Sequence, residues 1–352
     1  MNESIQSLCD TVKNAYLKQQ ALNIQGGNSK LFYGNEIYAE IVSTKNLNGI
    51  IEYQPSELYI TAYAGTPLTV IEHSLAEHNQ MLSFEPPLYT DNATLGGTVA
   101  CGLSGPRRPY ADAIRDCILG TNIINGKGEY LVFGGKVMKN VAGYDVSRLM
   151  CGAFGTLGII TQVSIKVLPQ VKQEITLSFE FTEQEAIKQI KQWLSELIPI
   201  SATYHENNQL WIRLSGLDNT LNKIQERIGG EKIDSNERFW ESVKNHRTNF
   251  FIDDTPLYRC IVPSNSPTFT IQGKTSFEWN GGLRWIKSNE PFENIIQQCE
   301  TFRGHASLYR SSSKPVDFMH PMSDHLKKLH LNLKRAFDPA GILNPRRMYS
   351  WC

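Results

Sequence analysis

The sequence predicts an α+β protein with two domains and a C-terminal helix and tail, over residues 1–172, 173–315 and 316–352. Three observations predict this class. A chain of 352 residues exceeds the usual size of one compact core. Glycine-clustered turns alternate with β-rich segments as far as Pro169, which ends a long apolar strand. Beyond Val171, strands alternate with amphipathic helices, which is typical of an antiparallel sheet backed by helices.

Periodicity predicts the elements of the first domain. Ile5, Leu8 and Val12 recur at three- and four-residue steps, as on one face of an amphipathic helix. The dipeptide Asn125-Gly126 between two apolar runs is a hairpin signal. The domain is thus expected to hold helices at 3–21, 67–78 and about 95–102, and strands at 50–53, 58–61, 118–124, 130–133 and 159–169.

The remaining residues also show the apolar spacing of helices and of strands, but in a different order along the chain. The second domain is predicted to contain strands at 174–181 and 209–215 and helices at 183–197 and 218–229, followed by further strands and turns. A helix over about 321–336 then leads into an apolar tail with rigid turns at 337–345, which we expect to pack on the first domain.

Composition excludes several classes of function. Lysine plus arginine equals aspartate plus glutamate at 35 each, so no overall field favours nucleic acid or an acidic membrane surface. No apolar run reaches the roughly 18 residues that span a bilayer, and the N-terminus lacks a signal-peptide pattern. We therefore expect a cytoplasmic protein whose membrane contact, if any, passes through a partner.

Cysteines and histidines predict no metal site. The seven cysteines are scattered and form no Cys-x-x-Cys pair, so they are interpreted as reduced thiols. His320, His325 and His330 repeat every five residues, which spreads them around a helix, whereas a helical metal pair uses four-residue spacing. Any iron–sulfur cluster is therefore expected in a partner.

Glycine-rich turns carry the strongest functional signal. They occur at 25–30, 64–67, 94–98 and 152–158. Glycine lacks a Cβ, so such turns let backbone N–H groups approach an anionic ligand closely. A single Gly-Gly pair is more often an ordinary turn. The order of these turns along the chain indicates a bound anionic cofactor.

Several of these segments have a familiar counterpart. The runs 64–87, 94–110 and 133–169, together with 303–310 and 337–345, strongly resemble the GlcE family of bacterial glycolate oxidase subunits. That family is part of the vanillyl-alcohol-oxidase, or PCMH-type, FAD-binding proteins. The resemblance implies a two-subdomain FAD-binding fold with a smaller antiparallel cap, FAD as cofactor, and oxidation of glycolate to glyoxylate. It also implies a complex with a catalytic flavin subunit and an iron–sulfur subunit.

The resemblance further implies which residues bind FAD. Amides of the first loop would bond phosphate oxygens, a second loop would complete the cradle, an extended segment would run along the dinucleotide, and one strand residue would meet the flavin or adenine edge. Each hydrogen bond to a charged phosphate contributes about 1.5–3 kcal/mol. The residues are Gly26, Gly27, Asn28 and Ser29; Thr94, Gly96, Gly97, Gly102 and Ser104; Phe84, Glu85 and Pro86; and Ile160.

Two further groups of residues have two interpretations each. Positive charge near the flavin would stabilise the anionic reduced ring, but the same residues also suit a solvated surface. Arg107, Arg108 and Lys139 form this group. Asn140, Tyr144 and Asp145 either contribute to an interface or pack within the domain.

Catalytic residues are poorly specified. Family members that oxidise 2-hydroxy acids carry a His-x-His pair with an accompanying acid, and this chain has no His-x-His. His305, Tyr309 and Arg310 are the nearest candidates, because an arginine holds a carboxylate and a histidine takes a proton. A structural turn is the alternative interpretation. The missing pair favours substrate oxidation in the companion flavin subunit.

Three functions therefore stay open. The first is an FAD-binding subunit of a glycolate-oxidising complex, with non-covalently bound flavin. The second is a non-catalytic assembly subunit of that complex, and the third is a stand-alone 2-hydroxy-acid dehydrogenase. They differ in whether flavin is bound and whether this chain's own flavin turns over.

Overall fold

The structure is a computed structural model that describes residues 2–135, 145–313 and 317–352. The chain divides into two compact units. Unit 1 comprises Met1–Leu103, Ala113–Gln170 and Pro321–Cys352, and unit 2 comprises Ser104–Asp112 and Val171–His320. Segment 104–112 thus belongs to unit 2, whereas the sequence placed it in the first domain.

Unit 1 contains a five-stranded antiparallel sheet with the order β3-β4-β8-β6-β7. A parallel pair, β1-β2, and a short antiparallel pair, β5-β9, accompany it. The strands are β1 (Leu22–Gln25), β2 (Glu40–Ser43), β3 (Ile50–Gln54), β4 (Tyr59–Tyr63), β5 (Gln80–Met81), β6 (Ile118–Ile124), β7 (Tyr130–Gly134), β8 (Ile159–Lys166) and β9 (Leu168–Pro169). The helices are α1 (Glu3–Lys18), α2 (Leu68–Ala76), α3 (Leu95–Cys101), α4 (Ile114–Cys117) and α5 (Val146–Leu149).

Local sequence accounts for these elements. Helix α1 begins where the Asn2 side chain accepts a hydrogen bond from the Ser4 amide at 2.8 Å, and its apolar stripe is buried. The predicted hairpin is confirmed as β6-β7. The Asn125 side chain organises its loop by accepting from the amides of Lys127 and Glu129. Strand β8 is buried on both faces, with Ile160 and Val163 in one hydrophobic cluster of unit 1 and Ile159 in another.

Unit 2 contains one eight-stranded antiparallel sheet with the order β13-β10-β12-β11-β15-β16-β14-β17. The predicted antiparallel sheet with helices is therefore confirmed. The strands are β10 (Gln173–Glu180), β11 (Ile200–Glu206), β12 (Gln209–Gly216), β13 (Glu231–Lys232), β14 (Leu257–Ile261), β15 (Lys274–Glu278), β16 (Leu283–Lys287) and β17 (His305–Arg310). The helices are α6 (Glu183–Ser195), α7 (Asp218–Ile228), α8 (Asn236–Lys244) and α9 (Phe292–Thr301).

Segment 104–112 joins unit 2 through specific polar contacts. Arg107 Nη2 lies 2.7 Å from Glu174 Oε1 on β10, and both groups are largely buried. The Trp279 indole N–H donates to the carbonyl oxygen of Gly105 at 2.9 Å. Tyr110 donates its hydroxyl to the Asn280 side chain. Interactions between residues distant in sequence thus decide which unit this segment joins.

The last helix, α10 (Asp324–Phe337), returns the chain to unit 1. It begins three residues later than predicted because the Ser323 side chain caps it by accepting from the Leu326 amide. The buried Lys334 ammonium donates to the carbonyl oxygens of Thr156 and Leu343, at 2.8 and 2.7 Å. Within the described ranges, no helix is long and apolar enough to cross a membrane.

Candidate functional site

A cavity in unit 1 gathers most of the predicted loop residues. Its lining comes from the turn after β1, the start of α3, the start of β8 and the C-terminal tail. The lining residues are Asn23, Ile24, Gln25, Gly26, Gly27, Asn28, Ser29, Lys30, Leu31, Thr44, Thr94, Gly96, Gly97, Ala100, Cys101, Phe154, Gly155, Gly158, Ile160, Asn344 and Arg347.

The turn after β1 presents unused hydrogen-bond donors to this cavity. The backbone N–H groups of residues 26–30 donate no hydrogen bond to any acceptor in the described part of the chain. Asn28 has a left-handed backbone with φ of 64°, and its side chain donates to Gln25 at 2.9 Å. Successive amides around a left-handed residue form a concavity that binds anions. The turn therefore offers a group of donors for an anionic ligand.

Glycine is required where this turn comes closest to the segment that precedes α3. A Cβ on Gly27 would lie 1.4 Å from the carbonyl oxygen of Asn92, a distance that no relaxation of side chains accommodates. A Cβ on Gly26 would lie 2.8 Å from Thr94 Oγ1. The absence of side chains thus brings the turn against the segment that precedes α3. The structure places these two predicted loops side by side.

The start of α3 was expected to complete the phosphate cradle, but its role in the cavity is different. Thr94 caps the helix and accepts from the Gly97 amide at 3.3 Å. The amides of Leu95 and Gly96 already donate to the carbonyl oxygens of Thr66 and Ala64, at 3.0 and 2.8 Å. This segment therefore shapes the cavity wall, while unused donors come from the turn at 26–30.

Some predicted cofactor residues do not line this cavity. Phe84 is fully buried in the hydrophobic core of unit 1, and Pro86 is buried beside it, so neither side chain is free to meet a ligand there. Glu85 is partly exposed, with φ of 44°. Gly102 ends α3 with φ of 66°, and Ser104 belongs to unit 2. Ile160 does line the cavity, where its backbone pairs with β6.

Arg107 has a structural role in unit 2, which corrects both interpretations of this residue. It is 5% exposed and forms an ion pair with Glu174, whose carboxylate also lies 3.6 Å from Arg213 Nε. Burial alone would raise the pKa of Glu174, but Arg213 and Arg107 hold it below its usual value. The Arg107 guanidinium is therefore part of a buried ionic network with Glu174 and Arg213.

The other residues predicted to lie near the flavin or at an interface give less information about these roles. Arg108 is exposed and stacks on Trp279, with its guanidinium carbon 4.4 Å from the ring centroid. Asp145 is exposed and caps α5 by accepting from the Arg148 amide at 3.0 Å, so it has a local structural role, and its interface role stays a prediction. Lys139, Asn140 and Tyr144 lie outside the described residues.

The three catalytic candidates do not converge. His305 and Arg310 occupy opposite ends of β17, separated by five steps of about 3.3 Å, or about 16 Å. Tyr309 is fully buried beside Trp285 and His246 in unit 2. Desolvation, reinforced by the charge of Arg259 and by His320, lowers the pKa of His305. These residues form no common site on β17.

Sequence reasoning missed part of the cavity. Lys30 is the last residue of the glycine-rich turn at 25–30, and its position in that turn was the signal that could have identified it as a cavity residue. Asn344 and Arg347 come from the tail, more than 300 residues later in the chain. The Asn344 side chain accepts from the Ile24 amide at 2.6 Å and donates to the carbonyl oxygen of Phe154 at 2.7 Å. No local pattern indicates such a contact.

Comparisons with known proteins agree with this architecture. Residues 2–134 match the family model described as FAD binding domain. Glycolate oxidase subunit GlcE of Escherichia coli (strain K12) is 42% identical over 345 residues, which cover 98% of this chain and 97% of that protein. Glycolate oxidase subunit GlcD of Bacillus subtilis (strain 168) is 31% identical over 134 residues, 38% of this chain and 28% of that protein.

A solved structure extends the match in fold to the second unit. 4-Ethylphenol oxidase from Gulosibacter chungangensis, in its isoeugenol complex, superposes with a TM-score of 0.72 at 14% identity. The match covers 99% of this chain and 88% of that one. The fold is thus the PCMH-type FAD-binding fold, with FAD as the cofactor. From the near full-length identity to GlcE, we conclude that this chain belongs to the GlcE family of FAD-binding glycolate oxidase subunits.

Proposed function

We propose that this chain holds FAD in the cavity of unit 1 and serves as the FAD-binding subunit of a multi-subunit glycolate oxidase. The observation that carries the proposal is the run of unused backbone donors at residues 26–30 within that cavity. The high identity to a glycolate oxidase subunit over nearly the whole chain supports the choice of substrate. The complex would convert glycolate to glyoxylate.

The residues present fit the pyrophosphate of FAD. A pyrophosphate carries several charged oxygens, and each one needs donors when it leaves water. The amides at 26–30 supply such donors, and the glycines there let the backbone approach closely. Bound FAD would supply the two-electron oxidation chemistry, while this chain would hold and orient it.

The partners and location belong to the same proposal. We infer a catalytic flavin subunit and an iron–sulfur subunit as partners, a cytoplasmic location, and membrane contact only through those partners. The B. subtilis relative is itself a glycolate oxidase subunit, which supports a complex of related flavin subunits. The dispersed positions of His305, Tyr309 and Arg310 favour this role over a stand-alone dehydrogenase.

The first test is an absorption spectrum of the purified chain, recorded before and after anaerobic addition of glycolate. We expect a flavin spectrum that does not bleach with the chain alone and bleaches once the partner subunits are added. Bleaching of the isolated chain would show a stand-alone dehydrogenase. A chain that neither contains nor takes up flavin would show an assembly subunit. Repeating the assay with lactate tests the substrate preference.

Replacing His305 by alanine is expected to leave glycolate oxidation by the complex within about twofold of the unmodified complex. The imidazole is exposed at the start of β17 and lies at the opposite end of the strand from Arg310. Steady-state kcat and KM of the reconstituted complex measure the effect. A fall in kcat of a hundredfold or more, with unchanged flavin content, would instead make His305 a catalytic residue.

A further inference from the structure

Two cationic side chains line the cavity, and the described lining residues include no aspartate or glutamate. Lys30 is 6% exposed. Its ammonium lies 3.4 Å from Ser29 Oγ, beyond the usual hydrogen-bond length of about 2.7–3.2 Å, and 5.9 Å from the Tyr89 ring centroid. No carboxylate of the described chain forms an ion pair with it. Lys30 is therefore a buried cation without an anionic partner.

Arg347 reaches the same cavity from the C-terminal tail. Its guanidinium donates to three backbone carbonyl oxygens, those of Leu31 at 3.2 Å, Tyr33 at 3.1 Å and Asn35. These carbonyls satisfy donors but carry no formal charge. Among the residues described, no acid forms an ion pair with Arg347 either. The contacts also hold the tail against the segment that follows the turn.

The two charges act at one end of the cavity. Both lower the pKa of the Cys101 thiol, although burial keeps that pKa above its usual value. Arg347 donates to the carbonyl oxygen of Leu31, the residue that follows Lys30, so the two cations lie at the same end of the cavity. Lys30 itself belongs to the turn whose amides are unused. Two cations and a run of free donors thus share one region.

Burying the Lys30 cation without a counter-charge costs free energy, and desolvation lowers its pKa. Desolvation also lowers the pKa of the partly buried Arg347, although Cys101 and the charge of Glu36 oppose that shift. An anion bound at this end of the cavity would remove that cost. A group with two negative charges and several oxygens would match both cations and the amides together. The pyrophosphate of FAD has this chemistry, and so does a free diphosphate.

We propose that Lys30 and Arg347 form a cationic clamp that holds the pyrophosphate of FAD, with Arg347 coupling the C-terminal tail to the bound cofactor. The inference rests on the proposed binding of FAD in this cavity. To the backbone amides of the turn it adds the side chains of Lys30 and Arg347, which supply the positive charge that amides lack.

The test compares Lys30→Met with Lys45→Met, an exposed lysine of the same unit. Methionine keeps the length of the side chain and removes its charge. We expect Lys30→Met to raise the Kd for FAD about tenfold to a hundredfold, since a charge-assisted hydrogen bond contributes about 1.5–3 kcal/mol. Titration of flavin-depleted protein, followed by flavin fluorescence, measures this Kd. We expect Lys45→Met to bind FAD like the unmodified chain.

Riboflavin and inorganic pyrophosphate show whether Lys30→Met weakens FAD binding through the pyrophosphate or through a general loss of the site. Riboflavin lacks phosphate, so we expect its Kd to be the same in the unmodified chain and in Lys30→Met. Inorganic pyrophosphate should compete with FAD in the unmodified chain and compete at least tenfold less well in Lys30→Met. Equal weakening of FAD and riboflavin would overturn the clamp, because it would show a general loss of the site.

Arg347 requires a second variant, because Arg347→Met also removes the contacts with residues 31–35. Arg347→Lys keeps the charge, and we expect it to bind FAD at least fivefold more tightly than Arg347→Met. FAD should also protect the tail from proteolysis in the unmodified chain, and less so in Arg347→Met. Unaltered FAD affinity in both Lys30→Met and Arg347→Met would refute the clamp, whereas an unmodified chain that binds no FAD would refute the proposed function itself.

Discussion

Replacing Gly97 by aspartate is expected to remove FAD from the protein by weakening its binding about a hundredfold or more. Gly97 is in α3 and lines the cavity. A Cβ there would meet only Thr94 Oγ1, at 3.2 Å, so the backbone accommodates a side chain with a small adjustment. The new carboxylate would then face the region that we assign to the pyrophosphate.

The size of this effect follows from electrostatics. Two like charges about 5 Å apart repel by about 3 kcal/mol at an effective dielectric constant of about 20. That energy corresponds to a change in Kd of somewhat more than a hundredfold. The measurement is the ratio of flavin to protein after purification, together with the Kd for FAD.

The matched control is Gly97→Asn, which has nearly the same shape without the charge. We expect it to retain most of the bound FAD. If the asparagine and aspartate variants lose FAD to the same degree, steric exclusion explains the loss. If both retain FAD like the unmodified chain, the cavity is not the FAD site.

Replacing Asp338 by alanine is expected to lower the free energy of unfolding by about 3–5 kcal/mol, because it breaks a buried ion pair. Asp338 is 1% exposed, and its Oδ2 lies 2.8 Å from Lys334 Nζ. Its carboxylate also accepts from the amides of Ile342 and Leu343, at 3.1 and 2.7 Å. The alanine variant would leave a buried ammonium without its counter-charge and two amides without acceptors.

Urea denaturation of the chain measures this loss, and Asp324→Ala is the control. Asp324 is an exposed acid at the start of the same helix, so its removal should cost no more than about 0.5 kcal/mol. The double variant Asp338→Ala with Lys334→Met should be more stable than Asp338→Ala alone, since the unpaired charge is gone. Equal stability of Asp338→Ala and Asp324→Ala would contradict the assigned role.

Much of the local structure was predictable from short patterns. The apolar spacing of α1 and the Asn125 hairpin depend on residues within one or two turns of the chain, where periodicity and turn chemistry act. The boundary of α10 differed from the prediction because the cap at Ser323 outweighed the apolar pattern. The order of strands in unit 2 was not predictable, because pairing depends on contacts between distant residues.

The candidate site shows the same division. The turn at 26–29 was predictable because glycine sterics act within the turn itself. Arg107 illustrates the opposite case, because its charge suggests a role near the flavin, whereas in the structure it pairs with Glu174 of β10. Phe84 matched a family segment, yet the hydrophobic core of unit 1 surrounds it. A charge or an aromatic ring has no local signature that separates these environments.

The sequence by itself determined the α+β class, the glycine-rich turns and the family resemblance, because each depends on residues that are neighbours in the chain. Only the tertiary structure decided that segment 104–112 joins unit 2 and that Lys30 and Arg347 share one cavity. The physical reason is range: backbone sterics and side-chain periodicity act over a few residues. Burial and ion pairing depend on which distant residues the fold brings together.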